Sequence, residues 1–333
     1  MRILVWHVHG GWMDSFVQGS HEYLLPTTAE GGAWGLGRGG RDWPDNALER
    51  RPADLVGDDI DVVVLQRPED VAECERLTGR RPGRDLPAVY LEHNTPKGPV
   101  PSVVHPLAGQ SAIPIVHVTH FNRVFWDNGR APTTVIEHGI VDPGDRYTGE
   151  RATQAVVINE PVRRGRVTGT DLLPTFAAAG PLEVFGMGTD RLPGAVDVEP
   201  GRLLIGGDLP PSRLHERLAR CRLYLHPLRW TSLGLALLEA MHLAMPVVVL
   251  DATEAARAVP PGAGAISTDV EELVSAARRL LDDPDEARAR GRLAREAALA
   301  RYGLARFLAD WDEVLDDAVA RRPRPGKKEG SAA

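Results

Sequence analysis

The sequence predicts an α/β fold with two mostly parallel sheets, and three observations carry that prediction. Short apolar runs of strand length recur along the chain, with helical or loop segments between them, the alternation that builds parallel sheets through crossover connections. The segment Pro143-Gly144-Asp145 interrupts the alternation near the middle, and a second series of runs begins after it. Residues 225–250 hold a compact strand–loop–helix–strand unit. An apolar run ends in Pro227, a polar loop with Thr231 and Ser232 meets Gly234, a helix carries Glu239, and a buried strand runs from Pro246 to Leu250. A loop entering a helix N-terminus between two parallel strands is the layout of a phosphate-binding crevice, which points to a phosphorylated ligand such as a nucleotide.

In order along the chain, residues 2–8 predict a first buried strand, followed by a loop with Gly10 and Gly11. Residues 12–58 give no clear pattern, and the glycines at 31–32 and 35–40 predict a flexible surface loop or a lid. Strands are predicted at 60–66, 88–92, 115–119 and 134–137, with helices at 69–79 and near 121–128. The second series has strands at 155–159, 182–186, 203–205, 222–226 and 246–250. Its helices are predicted at 211–220 and near 234–243. Asp269 and the glutamates after it mark an acidic helix start for 269–283, Pro284 breaks that helix, and residues 285–300 are again helical. Residues 304–319 predict a last amphipathic helix, with Phe307, Leu308, Trp311 and Leu315 on one face. The polar tail 321–333 predicts disorder.

Composition narrows the class of protein. With 333 residues, 43% hydrophobic and 26% charged, the chain is long enough for two medium domains with proper cores. Its formal net charge of −7 is the wrong sign for a general nucleic-acid binder. Cys74 and Cys221 are the two cysteines, too few for a four-thiolate metal site or a disulfide framework, so a reduced cytoplasm is expected. No apolar run approaches the ~18 residues of a membrane span, and the N-terminus lacks the pattern of a signal peptide. Membrane contact is expected to be peripheral at most, through the five basic residues of the tail at the inner membrane face.

The order of these pieces resembles a retaining glycosyltransferase of the GT-B class, of the family 4-like, group 1 type. The resemblance spans about residues 1–315 and is strongest from Pro227 to Val249. There the helix start ending in Leu237-Leu238-Glu239-Ala240-Met241, followed by Met245-Pro246-Val247-Val248, is similar to the family's Leu-Glu-Ala-Met and Gly-x-Pro-Val-Val segments. The Gly10-Gly11 turn resembles the family's N-terminal glycine loop. Val135-Ile136-Glu137-His138-Gly139-Ile140-Val141-Asp142 resembles its interdomain segment, and His93 stands at a strand end where the family commonly has an active-site histidine.

The resemblance implies two facing Rossmann-like domains with a deep cleft between them. Residues 1–143 would bind the acceptor and 144–303 the nucleotide sugar. The helix at 304–320 would cross back to the first domain, ahead of a flexible tail at 321–333. It implies a metal-independent transfer of a sugar from a nucleotide-diphosphate sugar, with retained configuration, to a sugar, lipid-linked or small-molecule acceptor. No further cofactor, no metal and no nucleic acid are implied. His93 and Thr231 take the catalytic positions. Gly10, Gly11, Arg163, Arg164, Ser232, Leu233 and Gly234 take the donor phosphates, and Glu239 the ribose. Two departures stand out. The first acidic position of the family's Glu-x7-Glu pair falls on Thr231, which brings no carboxylate charge. The family's early arginine falls on Ile158 or Asn159, so Arg163 or Arg166 would have to compensate.

Several of these residues have a plainer reading as well. Glu239 reads either as a ribose ligand or as a helix residue paired with an arginine. His93 reads as a site residue or a loop filler, and 163–166 as a phosphate clamp or a solvated basic loop. Two other functions stay open on the same fold: a nucleotide-sugar-binding or regulatory protein without turnover, and a nucleotide-sugar epimerase.

Overall fold

The computed structural model describes residues 1–321. They divide into two compact units, one of Met1–Glu137 together with the chain from Phe307 onward, the other of His138–Arg306. The predicted flexible tail lies outside the described residues, apart from Arg321.

The first unit is built on strands β1 (Arg2–Val5), β2 (Glu22–Pro26), β3 (Ala47–Arg50), β4 (Val62–Leu65), β5 (Ala88–Glu92), β6 (Ile115–His117) and β7 (Thr133–Val135). They form one sheet in the order β3-β2-β1-β4-β5-β6-β7, with every pair parallel. Parallel strands need crossovers, which here include helices α1 (Gly10–Phe16), α2 (Gly32–Gly35), α3 (Asp70–Thr78) and α4 (His120–Phe125). The fully buried Val62–Leu65 run is what a central strand covered on both faces requires.

Three expectations for this unit change. Strand β1 stops at Val5, because the chain turns where the Val8 N–H donates to the Trp6 carbonyl. Gly10 and Gly11 do not form a loop: they open α1, whose first turn closes with the Met13 N–H on the His9 carbonyl at 3.0 Å. The unreadable stretch 12–58 contains β2, β3 and α2, and the glycine segment is held by an antiparallel bridge between Thr27 and Leu36.

The second unit holds β8 (Arg151–Val157), β9 (Leu182–Phe185), β10 (Leu203–Gly207), β11 (Cys221–His226), β12 (Val247–Leu250) and β13 (Gly264–Ser267). The order is β10-β9-β8-β11-β12-β13, again all parallel. Its helices are α5 (Pro161–Arg164), α6 (Leu173–Ala177), α7 (Pro211–Arg220), α8 (Leu235–His242), α9 (Ala255–Ala258), α10 (Val270–Asp282) and α11 (Pro284–Tyr302).

Side-chain alternation explains why β11 and β12 are buried throughout. Leu223, Leu225, Val248 and Leu250 enter one core cluster, while Tyr224, Val247 and Val249 enter the cluster on the opposite face. Each such side chain contributes roughly 1.5–3 kcal/mol by leaving water. The α10–α11 junction follows capping chemistry. Asp269 accepts from the N–H groups of Glu271 and Glu272, and Asp283 from those of Asp285 and Glu286, with Pro284 at the first helical position.

The last helix, α12 (Leu304–Ala320), buries Phe307, Trp311 and Leu315. Within the first unit its Trp311 packs edge-on against Trp12 and Phe16 of α1, and Asp312 pairs with His21 at 2.9 Å.

Candidate functional site

Both sheets share one topological property. Their order runs from third to first strand and then from fourth outward, so the central pair consists of the first and fourth strands, β1 and β4 in one unit, β8 and β11 in the other. Connections leave such a pair toward opposite faces, which opens a crevice beyond the C-terminal strand ends where open α/β sheets take ligands.

In the second unit the crevice falls between the segment after β8, Ile158 to Arg166, and the segment after β11, Pro227 to Gly234. These are the two segments that the sequence singled out. They are tied to each other directly. The Arg229 and Trp230 N–H groups both donate to the Val167 carbonyl, at 2.9 and 3.2 Å. The Arg229 guanidinium forks onto the Asp171 carboxylate at 2.5 and 3.0 Å and reaches the Arg166 carbonyl at 3.0 Å. Arg166 itself pairs with Asp171 at 2.8 Å.

The basic residues of the first segment therefore separate. Arg166 is spent on Asp171. Arg163 is 70% exposed and stands 3.6 Å from Glu160. Arg164 is half-buried and, among the described residues, its side chain has no ion pair or hydrogen bond. Burial, and after it the charge of Arg163, lowers its pKa from the ordinary value, though a guanidinium stays a cation. A half-buried cation without a protein partner is what an anion site needs. Neither place assigned to an early arginine supplies a charge: Ile158 is core, and the Asn159 side-chain oxygen accepts from the Met187 N–H at 3.0 Å. Glu160, the next residue, is held in the left-handed region at φ 55, with its N–H donating to the Met187 carbonyl at 2.8 Å.

In the second segment Ser232 and Leu233 are buried and Gly234 caps α8 in extended conformation. The Leu233 side chain belongs to the core cluster, so only its backbone is available to a ligand. The first N–H groups of α8 lack intrahelical acceptors and carry the positive end of the helix dipole. Thr231 is half-buried, and its hydroxyl makes no hydrogen bond to the protein among the described residues.

Glu239 lies one turn into α8, on the half-buried stripe with Leu235 and Ala236. It is 20% exposed and stands 3.4 Å from His215 Nε2 of α7, so its partner is a histidine and not an arginine. Beneath it is Tyr224 of β11, whose pKa is raised first by burial and then by the Glu239 charge. His226, which ends β11, is buried against Gly234, and burial holds its imidazole down at about 4, neutral near pH 7.

In the first unit the ends of β1, β4 and β5 bring His9, Gln66, Arg67 and His93 together. His93 Nε2 lies 3.0 Å from the Gln66 side-chain oxygen, and the Gln66 amide nitrogen donates to the Trp6 carbonyl at 2.7 Å. The His9 ring packs on His93 with centroids 3.9 Å apart, and Trp12 meets His93 edge-on at 5.5 Å. Burial, then the charge of Arg67, lowers His9 to about 4. Arg67 bonds Asp70 and the Ala33 carbonyl and lies over the Trp34 ring at 3.9 Å. Gly10 follows His9 in this cluster, and a β-carbon there would collide with the Arg41 guanidinium.

The sequence reading found His93 but not Gln66 or Arg67. The available signal was the position of Gln66-Arg67 directly after the apolar run 60–65, a strand C-terminus like that of His93. A shallow hollow of about 510 Å³, lined by residues such as Ser275, Arg278 and Asp282, sits at the C-terminal end of α10. That is the sheet edge opposite the crevice, since Arg222 near the start of β11 donates to the Leu281 carbonyl. Among the described residues no group of three or more His, Cys, Asp or Glu is placed to hold a metal ion, and no helix is long and apolar enough to cross a membrane.

Residues 180–283 match the family described as glycosyl transferases group 1. No curated protein matches the chain. Among solved structures, sucrose-phosphate synthase from Thermosynechococcus elongatus is similar at 13% identity and TM-score 0.70, covering 96% of this chain and 99% of that one. Anabaena HepE in complex with UDP-glucose is similar at 16% identity and TM-score 0.69, over 95% of this chain and 100% of that one. A glycosyltransferase from Rickettsia africae is similar at 12% identity and TM-score 0.65, over 96% and 99%. At these identities the likeness establishes the fold. The chain has the GT-B fold of two Rossmann-like units, and its residues 180–283 carry the sequence pattern of the group 1 glycosyl transferases.

Proposed function

We propose that the protein is a glycosyltransferase that takes a sugar from a nucleotide-diphosphate sugar. The observation that carries this reading is that, at the switch point of the second sheet, the segment after β8, which holds the half-buried Arg164, is hydrogen-bonded to the segment after β11 that leads into α8. A guanidinium and a helix start facing one crevice form a site for a diphosphate. Glu239, one turn along the same helix, accepts from the ribose hydroxyls, and Thr231 offers its hydroxyl to the sugar. Gly10, Gly11 and His93 sit at the corresponding crevice of the first unit, which takes the acceptor.

In the reaction the bond between the anomeric carbon and the diphosphate oxygen breaks. An acceptor hydroxyl oxygen bonds to that carbon and releases its proton. Negative charge grows on the departing diphosphate, and Arg164 and the α8 N–H groups stabilise it there. Retention of configuration and independence of metal follow the resemblance of the 227–249 segment to the retaining family.

A second reading, binding of a nucleotide sugar without transfer, is favoured by Thr231, which leaves the first acidic position without a carboxylate. The test that separates the two is release of nucleoside diphosphate from a bound nucleotide sugar. Transfer requires it, and binding alone gives none.

A further inference from the structure

Helices α7 and α8 bring two ionisable side chains to the same level of the second unit. Both helices start at the C-terminal edge of the sheet, α7 after β10 and α8 after β11, and both cross the face where Leu218, Leu237 and Met241 share one core cluster. His215 is the fifth residue of α7 and Glu239 the fifth of α8, so each stands about one turn in from its helix start. There they meet, with His215 Nε2 3.4 Å from Glu239 Oε2. That nitrogen is buried and makes no hydrogen bond among the described residues. The gap is just beyond the roughly 2.7–3.2 Å of a formed N–H···O bond, and a small movement of the carboxylate closes it. A carboxylate only accepts, so the bond takes its hydrogen from Nε2. The second carboxylate oxygen, Oε1, makes no hydrogen bond to the protein among the described residues and is left for a ligand.

We propose that His215 is a positioning residue for Glu239: its Nε2–H holds one carboxylate oxygen and turns the other toward the ribose hydroxyls of a nucleotide, the contact closing as the ligand binds. The ligand is that of the nucleotide-sugar reading, on which this role rests. Because His215 acts through Glu239 alone, it favours a ribonucleotide over one without ribose hydroxyls and leaves recognition of the base and the diphosphate untouched.

Calorimetric titration of the folded full-length protein with UDP, GDP and ADP, each beside its 2′,3′-dideoxy form, tests this role. The wild type should bind one ribonucleotide more tightly than its dideoxy form. His215→Leu should weaken that ribonucleotide roughly three- to tenfold, the range for one net hydrogen bond, and leave the dideoxy form unchanged. His215→Gln, whose side-chain amide reaches the Nε2 position, should bind like the wild type. His215→Asn, whose amide stops at the Nδ1 position, should bind like His215→Leu. In a Glu239→Ala background His215→Leu should have no further effect. Equal weakening of both nucleotide forms, a glutamine variant no better than the asparagine one, or an unchanged ribonucleotide affinity in folded His215→Leu overturns the assignment while the nucleotide site stands. A wild type that binds none of the three overturns the nucleotide reading, and the assignment with it.

Discussion

The imidazole Cε1 of His226 lies 2.5 Å from where a β-carbon on residue 234 would stand. The end of β11 and the N-terminal cap of α8 are therefore in direct contact, and glycine at 234 is a requirement of packing. His226 is 4% exposed and has no room to withdraw. Gly234→Ala should cost about 1–3 kcal/mol in denaturant unfolding, as overpacking of a tight core does. In a His226→Ala background the same change should cost measurably less, because the two groups share one space. Equal costs in both backgrounds would show that the contact is not what makes glycine necessary.

The other side of the same loop is pinned at Gly169. It adopts φ +71, and a β-carbon there would stand 2.0 Å from the Pro227 carbonyl oxygen. Alanine meets both a left-handed backbone and a backbone atom that cannot yield. Gly169→Ala should destabilise by roughly 2 kcal/mol or more and should also weaken nucleotide binding, since Pro227 begins the loop that leads to α8. Unfolding and calorimetry on one preparation check both effects.

Arg164 and Arg163 are neighbours with opposite expectations. Arg164 is half-buried and, among the described residues, without a protein partner, whereas Arg163 is 70% exposed beside Glu160. Arg164→Ala should weaken nucleoside diphosphate binding by roughly 1.5–3 kcal/mol, the range for a hydrogen bond to a charged group, and leave stability nearly unchanged. Arg163→Ala should change affinity by less than about 1 kcal/mol. Titration of both variants with the same nucleotide gives the comparison.

Two buried histidines set an acid limit on stability. Burial lowers His117 and His226 to about 4 each, from an ordinary value of 6.5. In the window between those values the unfolded chain binds protons that the folded one does not, so stability falls as pH drops from 6.5 toward 4. Each residue contributes up to roughly 3 kcal/mol across that window, and nothing further below it. Unfolding free energies measured from pH 7 to pH 4 should show this fall. In His226→Gln the slope should be shallower by close to one proton.

Much of this was legible before the fold was known, for physical reasons. The run 246–250 and the helix 211–220 stand out because a central parallel strand is apolar on both faces and a surface helix is amphipathic. The candidate segments 163–166 and 231–239 stand out in the sequence because each lies within one loop-and-helix unit, so sequence spacing reports spatial spacing. The strands β2 and β3 were not. Glu22–Pro26 is short and ends in proline, and Ala47–Arg50 is an edge strand with two charged residues in four, lacking a continuous apolar run. Likewise Gly264–Ser267 is a small, half-buried edge strand. The Gln66–His93 pair was invisible for a different reason. Its members are 27 residues apart and meet only because β4 and β5 lie side by side.

Calorimetric titration with UDP-, GDP-, ADP- and TDP-sugars, with wild type and Glu239→Ala in parallel, tests the central claim most directly. The account predicts that one nucleotide series binds the wild type and that Glu239→Ala, still folded, weakens it by about 1–3 kcal/mol through the lost ribose hydrogen bonds. A folded wild type that binds none of them, or a Glu239→Ala variant that binds as well as the wild type, would contradict a nucleotide-sugar site at the β8–β11 crevice.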